Sequence, residues 1–109
     1  MLHKMKLNKK PFDEMKNGTK TIEFRLYDEK RQKVKIGDKI EFSKLPELNE
    51  NLVVDVLDLY REENFEKLFK RLGESDEKAK NDSDKMHEIY SPKEERQYGV
   101  IGIKVKVIK

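Results

Sequence analysis

Apolar and polar positions along this chain alternate at period two in some stretches and recur at the helical spacing in others, and that contrast cuts the sequence into elements. Thr21 to Tyr27 is the plainest strand: Ile22, Phe24 and Leu26 share one face and Thr21, Glu23, Arg25 and Tyr27 the other, because successive side chains of an extended chain point in opposite directions. Val100 to Ile108 repeats the pattern, with Ile101, Ile103, Val105 and Val107 set against Gly102, Lys104 and Lys106. Met1 to Leu7, Lys39 to Ser43 and the valine-rich Leu52 to Tyr60 supply three more predicted strands. A charged connection from Asp28 to Lys35 and a tight turn at Ile36-Gly37-Asp38-Lys39 lead into the strand at Lys39.

Helical signals lie between the strands. From Lys10 to Gly18 a short helix is predicted, with Pro11 at its first position, Asp13 and Glu14 following, and Gly18 supplying a left-handed stop. Asn64 is placed to cap a second helix, whose Phe65, Leu68, Phe69 and Leu72 form a core stripe and whose end is marked by Gly73. Ser91-Pro92-Lys93-Glu94 is a capping box with proline at the first helical position; the helix it opens runs to about Tyr98 and closes at Gly99. Residues 74–83 hold little that is apolar beyond Ala79, so they are expected to form a mobile surface excursion, with Ser83 capping a helical turn that carries Met86, Ile89 and Tyr90.

Five short strands interrupted by two to four short helices, without regular strand–helix alternation, indicate an α+β chain organised as a small mixed β-barrel rather than a doubly wound sheet. With 109 residues there is room for one domain, residues 1–109.

Composition narrows the chemistry. Hydrophobic residues make up 35% and charged residues 43%, a balance that folds only because the apolar residues are gathered into periodic blocks. Without cysteine, thiolate catalysis, disulfides and cysteine zinc sites are excluded, and His3 and His87 alone do not build a closed tetrahedral site; no metal and no cofactor are expected. No apolar run approaches the roughly 20 residues of a membrane span, and the start lacks a signal-peptide core, so the expected compartment is the cytoplasm, with no membrane partner. A monomer is expected. Residues 1–44 carry thirteen basic against seven acidic side chains, residues 45–98 nine against fifteen, and residues 99–109 three lysines. If the two ends meet in one sheet, they make a basic face suited to a phosphate-bearing partner; the alternative is an ordinary solvated surface.

The segment Gly18 to Arg25 puts an ammonium, a hydroxyl, a carboxylate and a guanidinium within eight residues. On a strand, Thr21, Glu23 and Arg25 project from one face at spacings of roughly 7 Å and can converge on one small polar ligand. A carboxylate accepts from the exocyclic amine of a base, and a guanidinium donates to a carbonyl or phosphate oxygen. The alternative is a solvent-facing Glu–Arg pair of little energetic consequence. Tyr27, Tyr60, Tyr90 and Tyr98 read as half-buried barrel residues before they read as base-stacking ones, and His87 as a surface or satisfied histidine.

Gly18, Lys20, Glu23 and Arg25 stand at the spacing Gly-x-Lys-x-x-Glu-x-Arg, which resembles the hallmark of the ASCH family. Lys35 to Ile40 and Tyr90 to Val100 are similar to further family segments, and the likeness runs from about Leu7 to Val107, with no counterpart for Glu74 to Ser83. The resemblance implies a PUA-like barrel with a cleft beside the hallmark, a binding site for RNA, a nucleotide or a nucleoside, with Lys20, Glu23, Arg25 and Tyr27 as ligand-binding residues. Some family members of similar length hydrolyse N4-acetylcytidine with a lysine, a nearby threonine and a distal carboxylate, and others act as ribonucleases. For an enzyme the resemblance points to Lys20 with Thr21 and Glu23 as catalytic groups, although the family's threonine lies three residues after its lysine, where Glu23 stands here, and the distal carboxylate falls where the likeness has no counterpart. A lysine that serves as base must be uncharged, and Glu23 nearby favours its ammonium, which weighs toward binding. A protein-interaction module using the acidic helical side is a third class.

Overall fold

The computed structural model describes residues 1–108. Among them are five strands, β1 (Leu2–Leu7), β2 (Ile22–Leu26), β3 (Lys39–Lys44), β4 (Asn51–Glu62) and β5 (Val100–Val107), and four α-helices, α1 (Lys9–Lys16), α2 (Phe65–Arg71), α3 (Asp76–Met86) and α4 (Pro92–Tyr98). The strands form one mixed sheet in the order β1-β3-β4-β5-β2. β1 runs parallel to β3, with Met5 beside Phe42, and β3 runs antiparallel to β4, with Phe42 opposite Leu52 and Ile40 opposite Val54. The expected class, α+β with a small mixed β-barrel and two to four short helices, is borne out by the five-stranded mixed sheet and four α-helices.

Internal contacts divide the chain into two compact units, one of Met1–Glu23, Val34–Leu59 and Ile103–Lys109, the other of Phe24–Lys33 and Tyr60–Gly102. In the first, period-two burial along β1 turns His3, Met5 and Leu7 inward, and Phe12, Met15, Ile40, Phe42 and Val54 are fully enclosed. In the second, Phe65, Leu68 and Phe69 of α2 pack with Leu26, Ala79 and Val100, while Phe24, Tyr60, Tyr90 and Tyr98 pack against them partly buried. Phe24 meets Phe69 edge to face with 4.9 Å between ring centres.

Two helices depart from the sequence reading. α1 begins at Lys9, so Pro11 is its third residue; the first intrahelical bond is donated by Phe12 N–H to Asn8 O, and proline therefore still sits where no amide is needed. The larger correction is α3, which occupies most of the stretch read as a mobile excursion. Ser75 caps it by accepting from Lys78 N–H, Asp76 and Glu77 stand at its positive end, and Lys78 pairs with Glu74 and Asp82 one turn away on either side. Its buried side is only Ala79 and Ser83, so Ser83 lies inside the helix and caps nothing. Such a helix is held by its cap and charge pairs, and its apolar pattern is too thin to be read.

Candidate functional site

The hallmark run begins where α1 stops. Gly18, at φ +88°, is in the left-handed region that a side chain rarely adopts, and it lets its own N–H return to Met15 O at 3.2 Å and that of Thr19 to Glu14 O at 3.0 Å. Lys20 N–H also donates to Glu14 O, at 3.0 Å, and the Asn17 side chain accepts from the Thr19 amide. The backbone of Thr19 and Lys20 is thus pinned to the end of α1, and Thr21 is fixed from the sheet side because its carbonyl accepts from Val105 N–H.

So anchored, Lys20 turns its Nζ back on its own strand. It donates to Ile22 O at 2.8 Å and lies 3.3 Å from Glu23 Oε1, with both side chains largely buried. These are the contacts of an ammonium, and they hold the lysine head in one place. Beside it lies a pocket of about 220 Å³ lined by Lys16, Gly18, Lys20, Thr21 and Lys106, with Met15, Val105 and Val107 as its apolar part. That is smaller than the roughly 300–1,000 Å³ of sites for drug-sized ligands and suits a single base or sugar-sized group. Lys16 is tied to Glu50 at 2.6 Å, the first reason the Glu50 carboxyl is held below its ordinary range, whereas the Lys106 side chain makes no ion pair or hydrogen bond among the described residues.

Arg25 and Tyr27 belong to the second unit, and both are half-buried. Tyr27 N–H donates to Gly99 O at 2.9 Å, its carbonyl accepts from Gln32 Nε2, and the guanidinium of Arg61 lies 3.9 Å above its ring centre. Of the expected residues, then, Lys20, Thr21 and Glu23 are brought together in the first unit, with Lys20 and Thr21 on the pocket, while Arg25 and Tyr27 stand in the second. Period two puts Glu23 on a polar face, but its side chain is more deeply buried than Phe24, whereas Thr21 on that face is exposed and Arg25 and Tyr27 are half-buried. Lys16, Lys106 and Arg61 were missed. Lys106 was legible as an outward position of the last strand, yet nothing local in sequence joins it to Gly18.

His87 is a satisfied histidine, as expected: its Nε2 lies 3.0 Å from Glu95 Oε1, while Glu95 Oε2 accepts from the buried Phe65 N–H at 2.9 Å. Glu95 thereby ties α4 to the start of α2. Among the described residues no group of three or more His, Asp or Glu is placed to hold a metal ion, and no helix is long and apolar enough to cross a membrane.

Comparison with known proteins agrees with this architecture. Hypothetical protein PH0355, seen in a crystal structure, is 28% identical, superposes with a TM-score of 0.84, and the match covers 99% of this chain and 100% of that one. Protein PF0455 from Pyrococcus furiosus, solved in solution, is also 28% identical, with a TM-score of 0.73 and coverage of 100% and 99%. No curated protein matches. The profile described as ASCH domain matches residues 5–109, a span that holds the Gly18–Arg25 run, the pocket and nearly all of the sheet; the chain belongs to the ASCH domain family.

Proposed function

We propose that this ASCH domain is a cytoplasmic binding module for RNA or a nucleotide, with Lys20 and Glu23 as the polar centre of the first unit; within the second unit, Arg25 and Tyr27 are the proposed ligand-binding residues. The observation that carries the reading is the immobilised Lys20–Glu23 pair, 3.3 Å apart and largely buried, at the edge of a small pocket that two further lysines line. Lysines around a pocket of this size favour an anionic group, and the apolar side formed by Val105 and Val107 favours a flat ring.

The test is a titration with cytidine, cytidine monophosphate and a labelled single-stranded RNA. Phosphorylated ligands bind more tightly than the nucleoside, affinity falls as salt rises, and Lys20→Met removes binding of all three. Equal affinity for nucleoside and nucleotide, unchanged by Lys20→Met, sinks the reading.

A second reading is favoured by one observation, that Thr21 lines the same pocket as Lys20. It is hydrolysis of a modified nucleoside such as N4-acetylcytidine, with Lys20, Thr21 and Glu23 as the chemical groups. Release of cytidine on incubation with N4-acetylcytidine, lost in Lys20→Met, establishes it; no release rules it out for that substrate.

A further inference from the structure

We infer that Arg61, whose guanidinium lies over the Tyr27 ring, is a contact for single-stranded RNA, stacking on an unpaired base and donating to the adjacent phosphate. The inference rests on the RNA reading above and adds a residue outside the hallmark.

Two other arginines of the same unit, Arg31 and Arg71, differ from Arg61. Arg71 stacks more loosely over Tyr60, at 5.5 Å, and its guanidinium donates to Glu62 at 3.2 Å and to Arg61 O at 3.1 Å. Arg31 donates to Asp28 at 3.2 Å. Those two are bound to the protein itself. The Arg61 guanidinium lies closer to its ring, at 3.9 Å; the residue is exposed, and its side chain makes no hydrogen bond or ion pair among the described residues. The carboxylates next to the stack in sequence, Asp28 after Tyr27 and Glu62 after Arg61, are engaged by Arg31 and Arg71.

The result is a guanidinium seated over an aromatic ring, whose charge neither Asp28 nor Glu62 answers. Its platform is rigid, because the Tyr27 backbone is bonded on both sides, to Gly99 O and to Gln32. A flat cation with free in-plane donors matches two features that RNA places side by side, the face of an unstacked base and a phosphate oxygen. An acidic peptide offers the charge without the ring.

The experiment is fluorescence anisotropy with a short labelled single-stranded RNA of mixed sequence across a potassium chloride series, with thermal melts as the folding control. Arg61→Ala is expected to weaken binding by about five- to fiftyfold and to flatten the dependence of log K on log salt by about 0.7, the contribution of one phosphate on a single strand. Arg61→Lys keeps that slope but loses most of the affinity, and Tyr27→Leu loses as much as Arg61→Ala whereas Tyr27→Phe does not. Wild-type affinity in Arg61→Ala or Arg61→Lys overturns the inference and leaves the Lys20 pocket untouched. So does displacement of the RNA by an acidic peptide of equal charge. If the wild type takes cytidine monophosphate but no RNA, the inference fails and the nucleotide reading stands; if it takes neither, both fail.

Discussion

Removing either partner of the Lys20–Glu23 pair tests whether the site is a coupled unit. At 3.3 Å, with the lysine 19% and the glutamate 7% exposed, the gross attraction is about 5 kcal/mol at an effective dielectric of about 20. Against it stands the desolvation of two charges, several kcal/mol each, so the pair as a whole contributes little to stability. The single variants behave differently from the pair. Lys20→Met leaves a buried carboxylate and is expected to cost about 2–4 kcal/mol; Glu23→Gln keeps the shape and an acceptor and costs about 1–3 kcal/mol. In the double variant neither charge is stranded, so its cost falls short of the sum by about 1–3 kcal/mol. The assay is urea denaturation followed by far-ultraviolet circular dichroism for wild type, both singles and the double, with ligand binding measured on each folded variant. All three variants lose binding while the double remains folded. Additivity within about 0.5 kcal/mol refutes the coupling, and binding retained by the double removes the pair from the site.

Glu95→Ala strands the Phe65 amide and takes the partner from His87, at an expected cost of about 2–4 kcal/mol; since each kcal/mol shifts the melting point of a domain of this size by about 4–8 °C, a change of less than about 5 °C contradicts the role given to Glu95. Asp38 accepts first from His3 and then from Lys35 N–H and the terminal ammonium, which holds its pKa down to about 2 from an ordinary 3.8. A carboxyl lowered on folding adds stability that is fully present above about pH 4 and is lost as pH falls towards 2, so Asp38→Asn flattens the acid limb of a melting curve between those values, and an unchanged limb disproves the assignment. Amide exchange across 76–86 reports whether α3 is a stable element: protection from Ala79 to His87 is expected, and free exchange there restores the mobile excursion of the sequence reading.

Most of the fold was legible because each element carries its own signal. The alternation of Ile101, Ile103 and Val105, the stripe of Phe65, Leu68 and Phe69, and the Ser91–Glu94 capping box are all decided within a few residues, and each is found where local physics puts it. α3 was missed because helix formation there is settled by Ser75, by the paired charges of Glu74, Lys78 and Asp82, and by two small residues, a pattern that also describes a polar loop. The same charges act on each other: burial, with the Asp82 carboxylate next in effect, raises the Glu74 pKa, while Lys78 holds that of Asp82 down. At the site, Gly18, Lys20 and Thr21 were legible as one run, but the pocket also takes Lys16 and Lys106, and only the path of the chain brings residue 106 to residue 20. Arg61 carries no local signal, since its distinction is the absence of an answering carboxylate, a property of the folded surface.

Two buried carboxylates show why the Lys20–Glu23 pair asks for an explanation beyond folding. Glu95 answers a donor that the fold itself creates, the Phe65 amide at the start of α2, so burying its charge satisfies a group that would otherwise be stranded. Glu23 lies 3.3 Å from the Lys20 ammonium, which also donates to Ile22 O, and a lysine's long, flexible stem ordinarily has a ready route to water. A buried ion pair is weak support for stability, because well-packed apolar residues of the same volume hold such a position as well or better. Gly18 and the two amide bonds that Glu14 O accepts from Thr19 and Lys20 nonetheless fix the backbone so that Lys20 returns to Glu23 at the edge of a pocket. A charge kept immobile at such an edge costs little to reorganise when a ligand arrives, and that is the benefit a binding site draws from it.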